Sequence, residues 1–164
     1  MLLSGADKVS VNSSAVTDKY LLSRAAEKFG SQCVVLAIDA KLNQSGMFEV
    51  FTHGGRTATG MDAVEWAEEA VKLGVGEILL TSMDGDGTKK GYDLPMLQAV
   101  CDAVSVPVIA SGGAGQAEHF VDAIEIGHAS AVLAASVFHF GQMSVQDVKQ
   151  AMKQANIVIR DAVI

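Results

Sequence analysis

Ser111-Gly112-Gly113-Ala114-Gly115 follows the apolar run Val108-Ile109-Ala110, and Ser136 follows the run from Ala131 to Ala135. Glycines let a backbone approach a phosphate, and the N–H groups of such a turn point at it. Ala135 and Ser136 offer a second turn and a hydroxyl. A glycine-rich turn after a strand can also be simple tight packing, and that reading stays open. Two more apolar runs lead to carboxylates, one at Asp39 and one at Asp84. At the carboxyl end of its strand, Asp39 is placed to act as a general acid or base. Its plainer alternatives are a helix cap or a loop ion pair. Asn12 and Ser13 close a shorter run and are candidate donors to a second phosphate. Asp84-Gly85-Asp86-Gly87 opens like a calcium loop, but the further ligands and terminal Glu of an EF-hand are missing, so no metal is expected. His53, His119, His128 and His139 lack ligand spacing and read as loop or surface residues.

These residues need a scaffold that brings strand ends together. The hydrophobic pattern predicts strands over 8–12, 33–39, 77–83, 108–111 and 131–135. It predicts helices over 18–29, 63–73, 94–103, 117–126 and 145–155. An excursion over 41–60 carries its own strand pair around 46–53. Gly30, Gly74 and Gly127 follow three of the helices as C-terminal caps do. Pro107 opens a strand, where no N–H is required. Strands alternating with helices argue an α/β fold with a parallel sheet, and in a βα barrel the active residues sit at the carboxyl ends of the strands. The last two turns of such barrels often form one phosphate site.

Composition narrows the field. The chain has 164 residues, 49% of them hydrophobic, which fits one domain. A complete barrel of eight βα units takes about 250 residues, so a partial barrel of about five units is expected. The net charge of −7 and pI near 4.9 argue against nucleic-acid or membrane-surface partners. The chain has no run long enough to span a membrane and no signal-peptide pattern at its start, and its two cysteines, Cys33 and Cys101, read as reduced thiols. A cytoplasmic protein without a cofactor is expected.

Period-two parity puts Lys8, Ser10 and Asn12 on one strand face, and Glu77, Leu79 and Thr81 on another. If both faces point into a barrel, Lys8 and Glu77 plug or gate its amino-terminal end, or form an ordinary salt bridge. The segment from Gly5 to Asn12 weakly repeats that from Gly127 to Ser136, as a duplicated half-barrel would.

Gly5 to Asn12, Val35 to Lys41, Glu77 to Asp84, Asp86-Gly87-Thr88 with Gly91-Tyr92-Asp93, Ser111 to Gly115, and Ala134 to His139 occur in one order. Together they resemble the cyclase subunits of imidazole glycerol phosphate synthase, over nearly the whole chain. The resemblance implies a histidine-biosynthesis lyase on a (βα)8 barrel. Ammonia from a glutaminase partner attacks a bis-phosphorylated formimino-ribulosyl substrate, and two aspartates share the acid–base work. Asp39 matches one of them. Asn12 and Ser13 match one phosphate site, with serine where threonine is often found. Ser111, Gly112, Gly113, Ala135 and Ser136 match the other. Asp86 and Gly87 match the loop lining the site, Lys8 and Glu77 the charged ammonia gate, and Asp7 a contact to the glutaminase.

The match begins at the fourth strand. The second aspartate, the lysine of the mobile first loop and a phosphate-binding glycine on the third strand have no counterpart here. Residues 1–30 then correspond to the last unit of the first half-barrel and 31–160 to the second half. The expectation is a single partial-barrel domain over 1–164 that keeps phosphate binding, loses turnover, and self-associates through its open inner face. The alternative is a non-catalytic self-associating half-barrel or a phosphate-binding module. The apolar end, Ala162-Val163-Ile164, is a competing cover for that face.

Overall fold

The computed structural model describes residues 1–160. Seven strands form one sheet in the order β4-β3-β2-β5-β6-β7, with β1 also on β2. They are β1 (Val9–Val11), β2 (Val34–Leu42), β3 (Phe48–Thr52), β4 (Thr57–Asp62), β5 (Glu77–Ser82), β6 (Val108–Ser111) and β7 (Ala131–Leu133). β1, β2, β5, β6 and β7 pair in parallel, whereas β3 and β4 are antiparallel. The helices are α1 (Ser13–Thr17), α2 (Tyr20–Phe29), α3 (Ala63–Lys72), α4 (Leu94–Ala103), α5 (Ala117–Glu125), α6 (Ser136–His139) and α7 (Val145–Gln154). The architecture is α/β with a mostly parallel sheet.

The sheet is one-sided. Leu36, Ile38, Ala40, Ile78, Leu80, Val108 and Ala110 are buried in one core with Leu22, Trp66, Ala67, Met96 and Phe120 from the helices. Alternation along each strand sends every second residue to the other face, where Ala37, Leu79 and Ile109 are half-buried and Leu133 is 42% exposed. α3 shows why the helices lie down on the core side. Ala63, Trp66, Ala67 and Ala70 are buried at helical spacing, and Asp62 caps its start by accepting from Val64 and Glu65 N–H.

Most boundaries expected from sequence hold to within a few residues, and the differences have local causes. The helix expected over 18–29 is α2, which starts at Tyr20; the short helix α1 before it was not expected, and the extended backbone of Asp18 separates the two. Asp39 does not end its strand. β2 runs on to Leu42 and changes partner, pairing with β3 beyond the level where β1 stops. The β2–β3 turn is folded by Asn43, whose Oδ1 accepts from Ser45 N–H, Ser45 hydroxyl and Met47 N–H. The excursion's strand pair is therefore β3 and β4, displaced toward the carboxyl side of the expected span. α6 was unexpected, because four residues carry no readable periodicity. Ala162, Val163 and Ile164 lie outside the described residues.

Candidate functional site

Register aligns four residues at or near the carboxyl ends of the parallel strands. Asp39 sits opposite Thr81, Thr81 opposite Ser111, and Ser111 opposite Leu133. One row on the open face thus carries a carboxylate, two hydroxyls and an apolar side chain. From β2 to β7 the row crosses three inter-strand spacings, roughly 14 Å along the sheet.

Over the β5–β6–β7 end of this row lies a cavity of about 190 Å³. Its walls include Asp86, Gly87, Ser111, Gly112, Gly113, Ala135 and Ser136, together with Thr81. Seven expected site residues, distant in sequence, therefore meet in one hollow. Thr81 was not singled out as a site residue. The same parity that grouped it with Glu77 and Leu79 was enough to place it there.

The glycines of the turn have a packing role. Gly112 and Gly113 have φ of 87° and 109°, a region that L side chains rarely adopt. A Cβ on Gly113 would collide with the Gly91 carbonyl oxygen, and one on Gly112 would lie 2.7 Å from the Ser82 carbonyl oxygen. The glycines let the turn lie flat on the loop that follows β5, so the packing reading of this motif holds on its buried side. The cavity opens on the turn's other neighbour, Ala135-Ser136. Gly113→Ala is expected to destabilise the fold by at least about 2 kcal/mol, measured by chemical denaturation, because it adds both strain and a backbone clash.

Tyr92 ties this region together. Its hydroxyl donates to the Leu133 carbonyl at 2.9 Å, and its ring packs edge-on against Phe120. Burial pushes its pKa upward, so it remains a donor. His119 is no bystander either. Its Nδ1 accepts from Gly115 and Gln116 N–H, fixing the turn's exit into α5. The expectation of a surface or loop histidine fails there because a capping role has no ligand-like spacing.

At the other end of the row, Asn12 Nδ2 donates to Asp39 Oδ2 at 3.0 Å. Asn12 Oδ1 is buried without a partner among the described residues. Ser13 Oγ accepts from His53 N–H at 2.9 Å, which docks the β3–β4 turn beside the end of β1. Asp39, Asn12 and Ser13 form a second cluster, separate from the cavity. Asp84, the other strand-end carboxylate, is 3.7 Å from Lys41 Nζ and accepts from Leu42 N–H.

A family model described as "Histidine biosynthesis protein" matches residues 1–144. The chain belongs to that family. Two relatives, each named "Imidazole glycerol phosphate synthase subunit HisF" and drawn from two strains of Caulobacter vibrioides, are each 60% identical over 161 residues. The alignments cover 98% of this chain and 62% of each relative. The chain thus spans a little under two thirds of the length of the curated relatives it matches, and it is similar to them over nearly all of its own.

The charged pair at the opposite, amino-terminal edge is formed. Lys8 Nζ lies 2.5 Å from Glu77 Oε2. Since β1 and β5 flank β2, this bridge spans β2; Glu77 lies in register with Val35, and Lys8 lies two residues before Ser10, the partner of Val35 on β1. Val35 is only 7% exposed on a face that is otherwise open. Asp7 is exposed beside the pair. Cys33 and Cys101 are both free, and burial, helped by the Asp102 charge, pushes the Cys101 thiol up to about 11.

Proposed function

We propose that the chain is the strand-four-to-eight part of a (βα)8 cyclase of the imidazole glycerol phosphate synthase type, and that its cavity binds one phosphate of a bis-phosphorylated sugar-nucleotide substrate. The observation that carries this reading is the meeting of the Ser111–Gly113 and Ala135–Ser136 turns around one hollow at the carboxyl ends of parallel strands. Backbone N–H groups and the Ser111 and Ser136 hydroxyls are the donors for phosphate oxygens. Asn12 and Ser13, at the far end of the row, serve the second phosphate. Asp39 lies between the two phosphate positions as the general acid or base, its Oδ2 held by Asn12 and its Oδ1 left to move a proton. Asp86 and Gly87 line the space over the substrate body. Lys8 and Glu77 gate ammonia from a glutaminase subunit that also touches Asp7. Residues 1–30 and 31–160 are then pieces of the two barrel halves, working in the cytoplasm without a cofactor.

Phosphate binding is testable by calorimetric titration. Ser136→Glu puts a carboxylate into the hollow and is expected to weaken inorganic phosphate at least about 100-fold. Asp86→Asn removes a like charge from the wall and is expected to tighten it by up to about tenfold. Equal affinity in all three chains would sink the assignment of phosphate to this cavity.

A second reading rests on the uncovered sheet face. In it the chain is a non-catalytic half-barrel that binds phosphate and pairs with a second copy. Ammonia-dependent turnover separates the two readings.

A further inference from the structure

Ser82 and Thr52 are the polar side chains buried to less than a tenth exposure among the described residues, and Ser82 is 1% exposed. A buried hydroxyl destabilises a fold unless it is hydrogen-bonded. Ser82 ends β5, and Asp93 is the N-cap of α4. Ser82 Oγ donates to Asp93 Oδ2 at 3.3 Å and accepts from Gly85 N–H at 3.1 Å. Its carbonyl accepts from Asp86 N–H at 2.9 Å, while Asp93 Oδ1 accepts from Met96 N–H. One side-chain bond thus clasps the two ends of the loop over 83–92.

That loop lies backbone to backbone on the glycine turn. A Cβ on Gly85 would lie 3.2 Å from the Gly112 carbonyl oxygen, and Cβ atoms on Gly113 and Gly115 would collide with the carbonyls of Gly91 and Lys89. Gly91 N–H donates to the Gly113 carbonyl at 2.9 Å. The turn keeps its left-handed conformation against a wall that the clasp holds in place.

We propose that Ser82 and Asp93 are positioning residues for the phosphate-binding turn, acting through the clasped loop that buttresses Gly112 and Gly113. The proposal rests on the reading of the cavity as a phosphate site. Ser82 contacts no substrate. It sets the shape of the turn before phosphate arrives, so that ordering is not charged against binding.

The test is Ser82→Ala, made on the native chain and on Asp86→Asn, so that a shift of the Asp86 charge cannot mask the effect. Amide hydrogen exchange reads the clasp, and inorganic phosphate titration reads the turn. Exchange at Gly85, Asp86 and Gly91 is expected to rise about tenfold, with Leu80 in the core unchanged. Phosphate is expected to bind about three- to tenfold more weakly in the Asp86→Asn background. Unchanged exchange at those three amides overturns the proposal, as does faster exchange with unchanged phosphate affinity. If neither parent chain binds phosphate, the phosphate reading falls. The clasp is then decided by Gly91, the donor into the turn: faster exchange there upholds it, and unchanged exchange overturns it.

Discussion

Given ammonia and the formimino-ribulosyl bisphosphate, the 164-residue chain on its own is expected to turn over at least about 10²–10⁴-fold more slowly than a full-length relative. The row of strand ends offers one carboxylate, Asp39, where the proposed chemistry uses two. The face that would enclose the reacting atoms is open, so water is not excluded and preorganised electrostatics are weakened. Steady-state assay with an ammonium salt reads this directly. Asp39→Asn should remove whatever rate remains. A rate within tenfold of the relative, or a residual rate indifferent to Asp39→Asn, would refute the single-carboxylate account.

The second large effect concerns association. Ala37, Leu79 and Ile109 form an apolar row across the open face, with Leu133 one step above it. Among the described residues, the outer edges of β7 and β1 carry no partner strand there, while β3 and β4 extend the sheet only above β1. Exposed edges and apolar patches favour pairing with another chain. At about 25 cal/mol per Å² of apolar surface, covering this face contributes several kcal/mol. A homo-oligomer packed through the open faces is therefore expected. Leu79→Asp should weaken it at least about 100-fold, since an unpaired carboxylate would be carried into the interface. Light scattering over a dilution series of both chains is the measurement. A native chain that stays monomeric at high concentration, or a Leu79→Asp chain that associates as well as the native one, contradicts this assembly.

The sequence reveals much of this because its signals are periodic or stereochemical. Alternation places Glu77, Leu79 and Thr81 on one face, and in the sheet they pair with Val35, Ala37 and Asp39. Proline and glycine positions marked the start of β6 and the ends of α2, α3 and α5. What was illegible depends on long-range partners. Nothing local to Ser82 or Tyr92 announces that their hydrogen bonds reach Asp93 or Leu133. Nor does a glycine-rich turn say which of its two sides meets protein backbone. β2's run past Asp39 was hidden for a similar reason, since Lys41 and Leu42 become strand only by pairing with β3. The two clusters of the candidate site were legible as separate sets of residues, but the hydrogen bond that ties Asp39 to Asn12 was not.

The most direct test of the central claim is a ¹H–¹⁵N titration of the chain with imidazole glycerol phosphate, the proposed product. Saturable shifts are expected at the amides of Gly112, Gly113, Ala135 and Ser136, with inorganic phosphate moving the same four signals and Ser136→Glu abolishing them. If those turns stay silent while the ligand saturates elsewhere, or if nothing moves at millimolar ligand, the cavity is not the phosphate site and the proposed function loses its support.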